Sequence, residues 1–330
     1  MATVGSNYLT LADVRRQTDA NDDIANIVEI LALSTPLTED APVFEANSGN
    51  RHLTTIRTGL PRPTWRKLYE GVMPTKGTTA QVYETTGFME DWSEVDAKLV
   101  DMSKNPRKLR ANEARAHIMG IGQELEQTLW YGNTDVWPER FNGLDIRYNS
   151  LSAGNGGQII DAGGTGSDNT SIWFIRWGED SVHLIYPEGS SLGLRRDDKG
   201  MQTKELNDGS LYDVYREKFQ MDAGLAVRDW RAIARIANLD VSNLRSNVGA
   251  PDLISLMLDA YYALDKPAMP NGNLAIYVPR TLGVALHKQA LAKINNNLTL
   301  DTIEGRPITR FMGAPIRVSD SILTTEARIV

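Results

Sequence analysis

The chain has 330 residues, with 35 Lys plus Arg against 42 Asp plus Glu, a formal charge of -7 and a pI near 5.3. That balance argues against a protein whose main task is gripping phosphate, and leaves nucleic acid only weak or local contacts. The absence of Cys excludes thiolate chemistry, cysteine-ligated zinc and a disulfide scaffold, while the length suffices to bury roughly 75% of the unfolded surface in one large domain or two intertwined ones.

The N-terminal run MATVGSNYLTLADVRRQTDAND lacks the basic start and apolar core of a secretory signal, so no export is expected. Leu9, Leu11 and Val14, then Ile24, Ile27, Val28 and Leu31, recur at helical spacing and predict an arm with two short helices, the second ended by Pro36. The longest apolar stretch, Ile24 to Leu33, is broken by Asn26 and Glu29 and falls short of the roughly 20 residues that cross a bilayer. A soluble protein without a membrane partner is expected. From Arg51 to Glu84, HLTTIRTGL and TTAQVYETTGF bracket a Pro-rich middle, and their alternation predicts the two arms of a long hairpin. Pro61, Pro63 and Pro74 cannot donate to a ladder, which places the hairpin at an edge or projecting from the body.

Asn105 as N-cap, Pro106 at the first helical position and Gly132-Asn133 at the stop predict a helix of about 26 residues, roughly 39 Å long. Ala114, Ile118, Ile121, Leu125 and Leu129 mark its expected core face. The Gly-, Ser- and Asn-rich stretch after Asn149 reads as a loop. SIWFIRWG and SVHLIYP then predict a hairpin about Glu179-Asp180, followed by a polar turn at Asp197 to Gly200 and a strand in YDVYREKFQMDAGLAVRD. Beyond these come a helix from Pro251 to Leu264, a buried strand NLAIYVP, a helix from Thr281 to Ala292 and short C-terminal strands. The class is mixed α+β.

Enzymatic motifs find little footing. Gly189-Ser190-Ser191-Leu192-Gly193 has nucleophile-elbow spacing, yet a charged, Gly-punctuated stretch follows where a helix is required. His52, His117, His183 and His287 stand singly, without ligand spacing. Glu124 and Glu126 face different sides of a helix, and Gly163 to Gly166 precedes a strand, the wrong context for cradling phosphate. No catalytic, cofactor or metal residue is assigned. Two basic clusters carry more weight. Arg57, Arg62, Arg66 and Lys67, with Trp65 among them, have the composition of a protein interface and, less favoured in an acidic protein, of a single-strand nucleic-acid site. Lys104, Arg107, Lys108 and Arg110 sit at the start of the long helix, where the dipole disfavours cations, so an acidic surface, such as that of a neighbouring subunit, is expected to face them.

The stretch RTGLPRPTWRKLYEGVMPTKGTTAQVYETTGFMEDWSEVD resembles the extended loop of tailed-bacteriophage major capsid proteins, especially those of short-tailed phages. GNTDVWPERFNGLDIRYN, with Phe141-Asn142-Gly143-Leu144 at its centre, resembles the segment after that family's spine helix, and FMGAPIRVSDSIL, Phe311 to Leu323, the closing strand of its axial domain. The resemblance implies the shell fold shared by tailed phages and herpesviruses. Residues 1–45 would form an N-terminal arm, 46–88 the extended loop, 89–135 a peripheral domain with the spine helix, and 136–330 an axial domain with strands returning to the peripheral one. It implies a capsid assembled in the bacterial cytoplasm from hexamers and pentamers, needing no cofactor, contacting double-stranded DNA weakly, with cement, decoration, scaffold and portal proteins as further partners. Inter-subunit contacts would fall on Arg57, Arg62, Trp65, Arg66, Lys67, Lys76, Lys104, Arg107 and Lys108. Some relatives join a loop Lys to an Asn of a neighbour. Lys76 lies in a polar, Gly-flanked run with little apolar cover, so non-covalent shells are expected. An encapsulin-like compartment and, of another class, a carboxylate-using hydrolase are the alternatives, distinguished by particle size.

Overall fold

The computed structural model describes residues 35–190, 193–246, 251–265, 273–292, 298–303 and 306–330. The arm helices expected between Leu9 and Leu31 lie outside these residues, as do Ser191 and Leu192 of the elbow-like turn. Its strands are β1 (Val43–Glu45), β2 (Arg51–Gly59), β3 (Thr78–Asp96), β4 (Ile159–Asp161), β5 (Asn169–Trp177), β6 (Val182–Tyr186), β7 (Arg195–Glu205), β8 (Leu211–Val227), β9 (Ile233–Asp240), β10 (Asn273–Val278), β11 (Leu298–Ile303), β12 (Arg306–Phe311) and β13 (Ala314–Val318). With the helices, they give the expected α+β class. The described residues fall into two compact units, one of 88–126 with 193–222, the other of 35–87, 127–190 and 223–330.

The first unit packs the long helix, Pro106–Tyr131, as far as Glu126 on strands of β3, β7 and β8. Its start follows the expected chemistry, since Asn105 Oδ1 accepts from Lys108 N–H at 3.2 Å. The inner face is partly polar. Arg110, Ala114, His117 and Ile121 line it at helical spacing, with Arg110 bonded to Glu217 at 2.6 Å and His117 bonded to Asp91 at 2.5 Å and stacked on Phe219. This turns the helix slightly from the expected register. Ile118 is 38% exposed and leaves the core, whereas Leu125, at 2%, belongs to it. The turn expected at Asp197 to Gly200 is instead a bulge inside β7, which pairs with β8 from Arg195↔Gln220 to Glu205↔Leu211 and slips between Asp198 and Gly200. Charges on both faces of β7 hide the alternation that marks a strand.

The second unit is built about β5, buried at every position. Neighbours on both edges satisfy its backbone, β10 antiparallel on one side and β9 antiparallel on the other. One face carries Ile172 and Phe174 into an aliphatic core with Ile236, Leu253, Met257 and Leu286, under the helices Leu253–Ala263 and Arg280–Ala292. The other is aromatic: Trp173 lies 5.7 Å from Trp130 and 6.0 Å from Tyr148, and Trp177 Nε1–H donates to Tyr277 Oη at 2.8 Å. Arg235, 1% exposed, stacks over Trp173 and bonds Asp145, Glu326, Ser171 Oγ and Tyr148 O. Through Glu326, which also accepts from Tyr131 at 2.6 Å, it fastens the C-terminal segment.

The hairpin expected about Glu179-Asp180 does not form. β5 and β6 run parallel and meet only at Trp177↔Val182, while β6 pairs with β1 and, antiparallel, with 224–227 of β8. Ser181 N–H bonds to Gly178 O and Gly178 N–H to Val182 O, a turn that steps the chain sideways without reversing it.

Replacing Leu125 by Ala should cost about 2–5 kcal/mol, as core truncations do, while Ile118→Ala should stay nearer the ~0.5 kcal/mol of a surface change. Denaturant unfolding of the unassembled subunit measures both, and equal costs would contradict this helix register.

Candidate assembly surface

The hairpin forms as the Thr-rich alternation predicts. β2 and β3 pair antiparallel from Arg51↔Thr85 to Arg57↔Thr79, then slip by one residue to Gly59↔Thr78. Thr58 Oγ1 donates to Thr78 Oγ1 at 3.0 Å beside the slip. Beyond it, 60–77 runs as an extended loop without regular structure, in which Glu70 N–H donates to Lys67 O and Thr75 Oγ1 to Arg62 O. Pro61, Pro63 and Pro74 each lock one φ angle, which stiffens the loop without a ladder.

The tip is apolar and wet. Leu60, Leu68 and Met73 are exposed, and Trp65 and Tyr69, each at 102%, are as open as in an extended chain. Tyr69 adopts φ 65°, a conformation an aromatic residue rarely takes. Among these lie Arg62, Arg66, Lys67 and Lys76, all exposed, with Arg57 exposed on β2. The basic and aromatic residues therefore share one solvent-exposed loop, with Arg57 on the strand that leads into it. Arg57, Arg228, Trp230 and Arg231 also border a groove of about 690 Å³ along residues 54–60.

The second basic cluster resolves differently. Lys104 and Arg107 are exposed and Lys108 is half-buried. The acid expected opposite Arg110 comes from the same chain, since Asp198 and Glu217 meet its guanidinium at 2.7 and 2.6 Å.

The root of the hairpin is densely hydrogen-bonded. Ser48 and Arg51 exchange both backbone hydrogen bonds across Gly49, which takes φ 63°. The Asn47 amide bridges both backbone groups of Leu53, at 2.8 and 2.9 Å. Glu84, opposite His52 in the ladder, receives Arg147 in a fork, Nη1 to Oε1 at 2.6 Å and Nη2 to Oε2 at 2.7 Å. Sequence reasoning singled out neither residue, although Arg147 follows three residues after Phe141-Asn142-Gly143-Leu144. In that segment Gly143 N–H bonds to Gly132 O and Leu144 N–H to Leu129 O, which closes the helix end. A Cβ on Gly143 would lie 2.6 Å from Thr128 O, so only Gly fits. His52 and His183, distant in sequence, meet here with ring centroids 5.5 Å apart, and Phe44 packs on His183 at 5.0 Å. No group of three metal-ligating side chains occurs among the described residues.

A family model described as "Major capsid protein GP7" matches residues 19–330. Among solved structures, the chain is similar to one from bacteriophage Epsilon15, with 38% identity, a TM-score of 0.77, and coverage of 100% of this chain and 99% of that one. The SrpI encapsulin of Synechococcus elongatus aligns at 12% identity and TM-score 0.44, covering 70% of this chain and 95% of that one. The capsid of a native GTA particle aligns at 9% and 0.43, covering 67% and 94%. No curated protein matches.

Burial lowers the His183 pKa to about 4, with the His52 ring and the Arg228 charge adding to the effect, against a backbone bond to Gly178 and the charge of Asp180. His52 is lowered as well, by burial and Arg228 against the opposing charge of Glu84. The unfolded chain therefore binds a proton near 6.5 that the folded His183 refuses until about 4. Stability should fall as pH drops from 6.5, by at most about 1.4 kcal/mol per unit from this residue. Urea unfolding between pH 6.5 and 5 should show a shallower slope for His183→Phe, and an unchanged slope would remove His183 as the source.

Proposed function

The chain belongs to the GP7 family of major capsid proteins and forms the shell of a bacteriophage capsid, and from that premise we propose that the 51–86 hairpin and its loop are the grip by which each copy holds its neighbours. Family membership makes this a structural protein and sets aside both the hydrolase and the compartment alternatives. The observation that carries the reading is the wet apolar tip, where Trp65, Leu68, Tyr69 and Met73 stand exposed together. Large apolar side chains held this open to solvent are the kind a partner surface buries, and Trp, Tyr and Arg are the residues that dominate interface energies.

In this reading the copies form hexamers and pentamers around packaged double-stranded DNA, with cement, decoration, scaffold and portal proteins as additional partners and the host bacterial cytoplasm as the place of assembly. Residues 1–45 act as the N-terminal arm, 46–88 as the extended loop, 89–135 as a peripheral domain with the spine helix, and 136–330 as the axial domain with strands returning to it. The grouping of 88–126 with 193–222 in one compact unit supports that return. Arg57, Arg62, Trp65, Arg66, Lys67 and Lys76 are the contact residues on the hairpin, with Lys104, Arg107 and Lys108 as a second set. The acidic balance suits a container that must admit and release DNA, because strong phosphate neutralisation would oppose both.

The double charge reversal Arg66→Glu, Lys67→Glu should leave a folded subunit with unchanged unfolding midpoint and at least about tenfold fewer megadalton particles by sedimentation, as expected where desolvated charges guide docking. Normal particle yield would refute the contact assignment. Lys76 is exposed in a polar run, so shells should be free of covalent links between copies. Boiled in detergent, particles should run as one band near 36.6 kDa. A ladder of multiples that vanishes in Lys76→Ala would overturn this.

A further inference from the structure

We propose that Arg147 is a positioning residue for assembly, a clamp that sets the direction in which the hairpin leaves its unit. The inference rests on the assembly role of the hairpin.

All three nitrogens of the Arg147 guanidinium are engaged. Beyond the fork to Glu84, Nε donates to Gly143 O at 3.0 Å and Nη2 to Asn142 O at 3.0 Å. The backbone beneath it is held too. Asn155 Nδ2 donates to Arg147 O at 2.6 Å, and the 3-10 turn Asp145–Arg147 follows directly on the Gly143-Leu144 closure of the helix end. One side of the clamp is thus a fixed reference. The other, Glu84, is on the hairpin, only 5% exposed and facing His52 across the ladder. A planar fork between two fixed carbonyls and a bidentate carboxylate admits one orientation, which a flexible ammonium does not enforce.

Leverage makes that orientation matter. From Glu84 to Thr78 the strand rises about 20 Å, so a tilt of about 10° at the root moves the strand end by roughly 3.5 Å. Such a shift exceeds the tolerance of a packed contact, and the tip with Trp65 and Tyr69 lies farther along the chain still. Buried ion pairs contribute little net stability compared with apolar groups of the same shape. A fork in this place therefore has its reason in direction, and the motif Phe141-Asn142-Gly143-Leu144 has its reason in supplying the two carbonyls that hold Arg147.

The test combines two variants, Arg147→Lys and Glu84→Gln, with two readouts. Hydrogen exchange on the unassembled subunit reports the clamp alone: amides of 51–59 and 78–86 should exchange at least about tenfold faster while those of β5 and β9 keep their protection. Particles from the same variants should fall about tenfold in yield or spread in diameter. Unchanged hairpin exchange overturns the proposal whatever the particles do, and faster exchange with normal particles overturns it equally. Should Arg147→Lys lose protection in β5 and β9, Glu84→Gln decides, and the same loss there would make the pair a structural support and no positioning device. Failure of the assembly reading is separate, because it appears in the Arg66 and Lys67 reversal while the exchange result for Arg147→Lys stands.

Discussion

A chain that holds Trp65, Leu68, Tyr69 and Met73 in water at the end of a two-stranded hairpin depends on a second surface to remove them from it. Each such side chain gains roughly 1.5–3 kcal/mol on full burial, so the four offer on the order of 10 kcal/mol before costs. Docking and ordering consume much of that. Pro61, Pro63 and Pro74 reduce the ordering term by restricting the loop before it docks. What remains per contact is modest, and modest reversible contacts repeated by symmetry are what a closed shell requires if misplaced copies are to leave again.

The hairpin can stand free only because the unit that carries it is over-determined elsewhere. β5, with aliphatic packing on one face and the aromatic layer on the other, needs nothing from residues 60–77. Arg235 lies in that aromatic layer with acidic partners Asp145 and Glu326 and ties three separated stretches of chain together. Such a charge is costly to bury and tolerable only when every donor is matched. Asp40 does the same at smaller scale, accepting from Tyr277 and from Arg317 at 2.9 Å each. The unit of 88–126 and 193–222 is held more by polar pairs, among them Arg110 with Glu217 and Glu94 with Arg216, and its apolar clusters are small.

Local chemistry was legible in the residues and long-range pairing was not. Asn105, Pro106 and Gly132 bound the long helix because capping and termination act within a few residues, and the Thr alternation with its prolines marked the hairpin for the same reason. Ile118 has the helical spacing of a core residue, yet Arg110 and His117 take the inner face because their acidic partners, far away in sequence, lie on the strands beneath. Asp197 to Gly200 reads as a turn in the sequence because a strand charged on both faces has no period. The Glu179-Asp180 segment passed for a hairpin because nothing in it signals that β9 and β10 already occupy both antiparallel edges of β5. The basic, aromatic cluster of the loop was visible as composition. Its root, Arg147 with Glu84 and His52 with His183, brings together residues more than sixty and one hundred and thirty positions apart, and no spacing rule reaches that far.

The central claim is that the hairpin tip is exposed in the free subunit and buried in the shell. Hydroxyl-radical footprinting measures it side chain by side chain: Trp65 and Tyr69 should be modified heavily in unassembled subunits and protected at least about tenfold in purified particles, while Tyr262, exposed on another element, serves as an internal reference. Equal modification of Trp65 and Tyr69 in the two states would contradict the account.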